Sequence, residues 1–331
     1  MATYKEIFGT NIEVLASDPA NPVTGQVWYN STDNVVKGFF LTTAGAWATG
    51  GNLNTARGLS GSAGNKDAAL NFGGEQPPQT AITESYDGTS WTEVNDLNTA
   101  RQELAGTGTQ TSALGFGGRQ PTISSASESW DGTSWTTTSS LNTARRFLAG
   151  SGADNTSALV FGGTNAAPGG SPVGNTESWN GTSWTEVNDL NTARASLAGG
   201  GTNTNALAFG GGSPNAQTES WNGTSWTEVN DLNTARSGLA GTYDTTNALA
   251  FGGGDGSGVK SETELWNGSA WTETTDLNLA RGSTNKGSSS SDSTKAILIG
   301  GREAPGGDGS EVNATEEWTG AGPVTVTFTD S

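Results

Sequence analysis

The sequence predicts an all-β protein that is built from repeated four-stranded units. One sixteen-residue stretch, WNGTSWTEVNDLNTAR, occurs twice without change, at 179–194 and at 221–236. Gly is abundant, with 50 of 331 residues, and the apolar fraction is only 32%. The apolar residues fall in short segments of fixed spacing that are separated by Gly, Asn, Ser, Thr and Pro, which is typical of all-β folds. No segment shows helical periodicity over more than about two turns.

A shorter pattern, which runs from a Trp through LNTAR or LNLAR, recurs six times along the chain. The six copies end at Arg57, Arg101, Arg145, Arg194, Arg236 and Arg281. Their spacing of 42 to 49 residues suits a four-stranded propeller blade and is too long for a leucine-rich repeat. The pattern therefore predicts one supersecondary unit that is copied along the chain.

The fourth copy shows how one unit is expected to fold. Strand a is the small-residue segment ASLAGGG, and strand b is 206–209, in which Leu207 and Phe209 point to one face. The double glycine after strand b permits backbone conformations that other residues resist. Strand c ends at Trp221 and strand d begins at Trp226. The Asn-Gly between them is a strong hairpin signal and places both Trp side chains on one face of the hairpin.

These features together resemble the kelch repeat: a double glycine closing strand b, an aromatic residue in strand c, a Trp in strand d and an Arg opening the next strand a. The resemblance covers 26–331 and implies a β-propeller, although the His that often follows the Arg is missing. A weaker resemblance, to the Asp-box hairpin of sialidase-like propellers, rests on SYDGTSW at 85–91 and SWDGTSW at 129–135. We expect 1–25 to be a separate N-terminal segment that acts as a closing strand or a docking arm.

The number of blades depends on how the two ends of the chain are used. Seven blades are favoured, because VWYN at 27–30 supplies a seventh strand b, VTVTFTD at 324–330 a seventh strand d, and NIEVLA at 11–16 a seventh strand a. In the six-blade alternative, Trp47 supplies strand d to the unit built from 281–320, and the VWYN–VVKGFF hairpin lies outside the ring. Either arrangement joins the chain ends and removes exposed sheet edges.

The N-terminal region carries a second resemblance. The segment SDPANPVTGQVWYNSTDNVVKGFF at 17–40, followed by GAW, is similar to segments of virion and tail-fibre-type proteins of tailed bacteriophages, especially marine ones. Its most specific part is GQVWYNST with the KG that follows. The resemblance implies a structural or adhesive part of a phage particle, assembled in the host cytoplasm and located in the virion. Other virion proteins would then be its partners.

Most catalytic chemistry is absent from the sequence. The chain has no His and no Cys, which excludes Ser-His-Asp and Cys-His sites and zinc sites of the Cys/His type. No GxxxxGK[ST] phosphate-binding loop occurs. We therefore predict a protein that is not an enzyme and uses no cofactor or metal. The enzymatic alternative is a sialidase-like glycosidase, which would need an Arg cluster and one of Tyr4, Tyr29, Tyr86 or Tyr243 as the nucleophile.

Six Glu residues occur in register, each two positions before the aromatic residue of a strand c. They are Glu84, Glu128, Glu177, Glu219, Glu264 and Glu316. A catalytic group would be needed once, so six equivalent copies favour a structural role. Because the six Glu match the six repeated Arg in number, we expect each pair to form an ion pair or hydrogen-bonded clamp between strands. A functional ring of carboxylates is the alternative.

The charge of the chain limits its partners. The formal net charge is −18, with 33 Asp and Glu against 15 Lys and Arg. Such a surface repels nucleic acid and disfavours anionic membranes, so neither is expected as a partner. No apolar run approaches the 18 residues of a transmembrane helix, and MATYKEIFGT lacks the apolar core of a signal peptide.

The repeats differ most in the segments that follow the double glycines. These are predicted b–c loops, which share one face with the LNTAR connections, whereas the NGTS turns lie on the opposite face. Loops on a rigid scaffold often carry binding, so these loops are expected to contact a host surface glycan or protein, unless they vary only for lack of constraint. The candidate binding residues are Arg119, Gln120, Asn165, Pro168, Asn215, Asp255, Lys260, Arg302 and Asp308.

Overall fold

The computed structural model is all-β and divides into two compact units. One unit comprises Met1–Gly45 with Gly320–Ser331, and the other comprises Ala46–Thr319. The division predicted between residues 25 and 26 stays a prediction. No helix that could cross a membrane occurs in the part of the chain that is described. The structure describes residues 12–19, 26–41, 45–76, 79–166, 170–243, 246–282, 293–303, 311–320 and 323–328.

The smaller unit contains a four-stranded sheet, here called the terminal sheet, which combines strands from both ends of the chain. Its strand order is β1-β2-β3-β27. Strands β1 and β2 are parallel, and the other two pairings are antiparallel. The strands are β1 (Glu13–Leu15), β2 (Val27–Asn30), β3 (Val35–Leu41) and β27 (Pro323–Phe328).

A buried Trp and a carboxylate connect residues 17–19 to the hairpin of β2 and β3. Trp28 is fully buried, and its Nε1 donates to the Asp18 carboxylate at 3.1 Å. Asn30 Nδ2 and Lys37 Nζ donate to the same carboxylate at 2.8 and 2.9 Å. The hydrogen bond from Lys37 is the main reason that the pKa of Asp18 lies below its usual value. These bonds fix residues 17–19 against the β2–β3 hairpin.

The larger unit begins with three four-stranded antiparallel sheets, in which consecutive strands are neighbours. They are sheet 1, β5 (Gly61–Asn65), β6 (Ala68–Phe72), β7 (Thr83–Tyr86) and β8 (Trp91–Val94); sheet 2, β9 (Ala105–Thr109), β10 (Ser112–Phe116), β11 (Ser127–Trp130) and β12 (Trp135–Thr138); and sheet 3, β13 (Ala149–Asp154), β14 (Ser157–Phe161), β15 (Thr176–Trp179) and β16 (Trp184–Val187). Each sheet reproduces the predicted order a, b, c, d.

Two further four-stranded sheets and one three-stranded sheet complete the larger unit. They are sheet 4, β17 (Ala198–Gly201), β18 (Ala206–Phe209), β19 (Thr218–Trp221) and β20 (Trp226–Val229); sheet 5, β21 (Ala240–Tyr243), β22 (Ala248–Phe251), β23 (Thr263–Trp266) and β24 (Trp271–Glu273); and sheet 6, β25 (Ile297–Ile299), β26 (Thr315–Thr319) and β4 (Ala46–Thr49). The segment predicted as strand a of sheet 6 falls on 283–292, outside the described residues.

The chain ends are paired differently from the favoured seven-blade arrangement. That arrangement places 324–330 beside the strand of Trp318, but β27 pairs with β3 instead. The strand of Trp318 pairs with β4, as the six-blade alternative requires, so the favoured allocation of these end strands is wrong. The physical reason is aromatic packing. Trp47 in β4 contacts Trp318 and Phe251, which are the partners that a strand-d Trp has elsewhere in the unit.

The apolar core of the larger unit consists of clusters that each join two successive sheets. Between sheets 1 and 2, for example, Leu70 and Phe72 pack with Trp130 and Trp135. Equivalent clusters join sheets 2 and 3, 3 and 4, 4 and 5, and 5 and 6. A last cluster joins Ile297 and its neighbours in sheet 6 to sheet 1. This succession is consistent with a propeller-like repeat fold.

Small residues allow the first strands of successive sheets to lie close together. A Cβ atom added at Gly150 would lie 2.5 Å from Cζ of Phe116 in the preceding sheet. The Thr107 hydroxyl donates to the Gly152 carbonyl of the next sheet at 2.8 Å. The Gly-rich strand a therefore lets the large face of one sheet meet the small face of the next.

Candidate functional site

Each repeated Arg contacts the Glu of the strand c that follows it. The shortest N–O distances lie between 2.6 and 3.0 Å, and both side chains of every pair are buried. We call these pairs the clamps. They are Arg57–Glu84, Arg101–Glu128, Arg145–Glu177, Arg194–Glu219, Arg236–Glu264 and Arg281–Glu316.

The third clamp shows the hydrogen bonds that a clamp makes. Arg145 Nη2 donates to Glu177 Oε1 at 2.7 Å, and its Nη1 donates to the Gly162 and Asn175 carbonyls at 2.9 and 2.6 Å. Glu177 Oε2 accepts from the backbone N and the Nδ2 of Asn142, both in the LNTAR connection. Burial lowers the pKa of Arg145, and the Glu177 carboxylate opposes this effect. The clamp thus fastens each connection to the next sheet.

The first clamp is built differently from the others. Arg57 Nε donates to Asn71 Oδ1 at 2.9 Å, and Asn71 exchanges hydrogen bonds with the Ser60 hydroxyl. In sheets 2 to 5 the position of Ser60 is a Leu, and the position of Asn71 is Gly, Val or Ala. Among the residues that the structure describes, the Nε atoms of Arg101 and Arg194 have no hydrogen-bond partner. Ser60 and Asn71 together therefore complete the hydrogen bonding of the buried Arg57.

The predicted b–c loops begin at a backbone contact that recurs along the larger unit. In five of the six repeats, the residue after the double glycine pairs with the residue after the repeated Arg, as in Gln102–Arg119, Arg146–Thr164 and Gly282–Arg302. The Arg119 amide donates to the Gln102 carbonyl at 2.7 Å and the reverse bond measures 3.0 Å. Both the variable loops and the LNTAR connections therefore contribute to one surface, which we call the loop-base surface.

A chain of backbone hydrogen bonds crosses the loop-base surface. Glu103, Phe147, Ser196 and Gly238 each donate an amide to the equivalent carbonyl of the preceding repeat, at 2.8 to 3.1 Å, starting from Leu59. All five have φ between 54° and 60°, which Gly adopts readily and other residues rarely do. Four different non-Gly residues and one Gly thus occupy this position, two residues after the end of LNTAR segments that hardly vary. Non-Gly residues that are held at such φ values often occur at functional sites.

Among the described residues, the structure brings one pair of the predicted loop residues together. Lys260 Nζ lies 2.8 Å from Asp255 Oδ2, and their hydrogen bond lowers the pKa of Asp255 and raises that of Lys260. Asn215 closes its own turn by accepting from the Gln217 amide at 2.7 Å. Gln120 is partly buried and Asn165 is exposed. Pro168 and Asp308 lie outside the described residues.

Two predicted arginines lie in charge clusters whose other members were not predicted. Arg302 lies between Glu75 and Glu311, with 3.1 Å to the latter. Arg119 and Arg146 both face Glu103, at 4.0 and 2.9 Å. The signal for Glu103 and Arg146 was available in the sequence, because the letters after each repeated Arg differ between copies.

One of the Tyr residues that a sialidase-like site could use as its nucleophile, Tyr86, has a structural position. Tyr86 is buried in a framework position of β7, and its hydroxyl donates to Glu317. Burial, with a smaller effect of Glu317, raises the pKa of Tyr86 to about 12. No group of three or more acidic residues that could hold a metal ion occurs in the described part of the chain.

Comparison with known proteins gives no assignment: no protein-family model matches the chain, and no curated protein matches it. The function of the loop-base surface is therefore inferred from its geometry alone.

Proposed function

We propose that the larger unit is a six-bladed kelch-like β-propeller in which β4 completes the sixth blade. The pairing of β4 with β26 and the apolar cluster between sheets 6 and 1 support this proposal. The strand a expected for sheet 6 would supply the remaining strand. Disulfide trapping tests the proposal: a Cys pair at Trp47 and Trp318 should form within one chain, whereas a seven-blade ring predicts no such bond.

We propose that the chain is a non-enzymatic structural or accessory protein of a phage particle, such as a tail, fibre or capsid appendage, and acts as an interaction scaffold. The observation that carries this proposal is the burial of the repeated side chains. The six Arg–Glu clamps and the paired Trp residues are buried within or between sheets, which leaves the loop-base surface and the terminal sheet to meet partners. The terminal sheet contains the segment that resembles virion proteins, so it is the proposed attachment region.

Location tests the particle proposal directly. Particles of the phage that encodes this chain would be purified on a density gradient and analysed by mass spectrometry. We expect the chain to sediment with the particles in stoichiometric amount. Recovery in the soluble fraction alone would reject a virion role, and a soluble host protein measured in the same fractions serves as the control for carry-over.

A second candidate function is recognition of a host surface glycan or protein through the loop-base surface. The specific observation is Arg119, whose side chain is 40% exposed and whose nearest carboxylate oxygen is 4.0 Å away. We expect the purified protein to bind host cells saturably. Binding that does not saturate, or that persists equally on cells stripped of surface polysaccharide and protein, would reject this candidate.

A further inference from the structure

The arginines of this chain are distributed unevenly. Six of the nine form the clamps and are buried. The other three, Arg119, Arg146 and Arg302, each lie directly after a double glycine or directly after a repeated Arg. All three therefore lie on the loop-base surface, in a chain whose net charge is −18. A concentration of guanidinium groups on one surface of an acidic protein requires an explanation.

The three arginines form two clusters of opposite net charge. Arg302 lies between the carboxylates of Glu75 and Glu311, so that cluster has one negative charge in excess. Arg119 and Arg146 share the single carboxylate of Glu103, so that cluster has one positive charge in excess. The first cluster has an excess of carboxylate and joins sheets 6 and 1. The second, here called the arginine pair, can accept one more anionic group.

The arginine pair is held by the Glu103 carboxylate, and its Arg119 side chain is 40% exposed. Glu103 is only 6% exposed, and its carboxylate holds Arg146, whose guanidinium carbon is 4.9 Å from the Phe147 ring centroid. Within the described part of the chain, Arg119 is held through its backbone and the 4.0 Å contact. The Arg146 Nε and the hydroxyl of Thr164, which is buried beside it in the Arg146–Thr164 contact, have no hydrogen-bond partner in the described structure. Both of these atoms are buried, so the more exposed guanidinium of Arg119 is the group through which an added acceptor can reach the pair.

We propose that the arginine pair binds the carboxylate of an acidic saccharide, an inference that rests on the host-glycan candidate function above. A guanidinium presents a planar fork of donors that matches a carboxylate, which is why Arg is favoured for such recognition. At physiological ionic strength the Debye length is about 8 Å, so the local positive charge outweighs the distant negative surface.

A saccharide fits this surface better than a protein does. Protein interfaces depend on buried aromatic and apolar anchors. Among the described residues the one exposed large hydrophobic side chain is Val14, which belongs to the other unit. The loop-base surface instead offers the partly buried ring of Phe147 beside the pair and the amides of Gln120 and Asn165. A ring face and amide groups are suited to the faces and hydroxyls of a sugar.

Calorimetric titration of the full chain with a galacturonic acid trisaccharide tests the proposal. We expect saturable binding that is lost with the neutral methyl ester of the same trisaccharide. Arg119→Gln should weaken binding by about tenfold to a hundredfold, because a hydrogen bond to a charged group is removed. Arg119→Lys should recover part of the loss. Lys295→Gln, which removes the same charge from an exposed side chain at a distant turn, should leave binding unchanged.

Several results would overturn the proposal. They are equal binding by the wild type and Arg119→Gln, equal binding of the acid and its ester, and tighter binding of a triglutamate peptide of the same charge. Thermal unfolding of each variant shows whether a loss of binding reflects a loss of the fold. If Arg119→Gln still binds host cells as the wild type does, the arginine pair is rejected while the host-recognition function stands. If neither protein binds cells, the candidate function itself fails.

Discussion

Trp47 and Trp318 lie directly opposite each other in strands β4 and β26, with their ring centroids 5.4 Å apart. Equivalent pairs in the other sheets, such as Trp179 and Trp184, come from one hairpin and have centroids 5.3 Å apart. The same contact is therefore made once between distant parts of the chain. Residues 46–49 therefore supply to the sixth sheet the strand that the second half of a hairpin supplies in the other sheets.

Trp47→Ala should destabilise the larger unit strongly. The side chain is buried, and its Nε1 donates to the Thr263 hydroxyl at 3.0 Å, so the substitution leaves a cavity and an unpaired hydroxyl. We expect the free energy of unfolding to fall by about 3 to 5 kcal/mol. Urea denaturation followed by Trp fluorescence measures this. Val14→Ala, at a side chain that is 65% exposed, is the control and should change stability by less than about 0.5 kcal/mol.

Breaking one clamp should cost more than replacing it. Glu177→Leu leaves the Arg145 guanidinium buried without its counter-charge, and we expect a loss of about 3 to 5 kcal/mol in the free energy of unfolding. The double variant Arg145→Met with Glu177→Leu should be less destabilised than the single one, because no charge then stays buried alone. A double variant at least as unstable as Glu177→Leu would contradict this account. The partly exposed pair of Lys66 and Asp67 gives a comparison, for which about 1 kcal/mol or less is expected.

Two glycines, one in strand β13 and one in a loop, allow the packing of strand a to be tested by matched substitutions. A methyl group at Gly150 would meet the ring of Phe116 at 2.5 Å, so Gly150→Ala should destabilise the protein by about 1 to 3 kcal/mol. A methyl group at Gly258 would meet nothing within 4 Å, so Gly258→Ala should be neutral or slightly stabilising. Thermal unfolding of the two variants measures the difference. Equal melting temperatures would show that the Phe116 ring can move aside.

Tyr86 should make the stability of the fold sensitive to alkaline pH. Its pKa rises from the ordinary value of 10 to about 12 in the folded state, mainly because the hydroxyl is buried. A raised pKa means that the folded state keeps the proton that the unfolded state loses. The contribution of Tyr86 is therefore complete below about pH 10 and disappears as the pH rises through about 12.

Urea denaturation between pH 8 and 12 measures this effect. The wild type should lose stability more steeply above pH 10 than Tyr86→Phe does, although the variant starts lower because the Glu317 carboxylate loses its donor. Tyr29→Phe, in the terminal sheet, is the control and should keep the steep slope. Parallel slopes for the wild type and Tyr86→Phe would contradict the prediction.

The sequence alone was enough to predict the repeated unit, and the reason is local. Asn-Gly or Asp-Gly fixes the c–d turn, so Trp179 and Trp184 face each other whatever lies around them. The alternation of Leu207 and Phe209 with Ala residues sets one large and one small face of strand b. Each repeated Arg is followed by one Glu that lies two positions before the aromatic residue of strand c, and this pattern predicted the six clamps. These features depend only on neighbouring residues, and they recur in each copy.

The tertiary structure decided which copies meet. Because the repeats carry nearly the same local signals, the sequence could not choose whether 324–330 or β4 lies beside Trp318, and the structure pairs β4 there. Long-range packing also brought Glu103 to Arg146 and Arg57 to Asn71, residues that are separated by 43 and 14 positions. A periodic sequence determines the shape of each unit, whereas the contacts between units depend on where the chain closes, which is a property of the whole molecule.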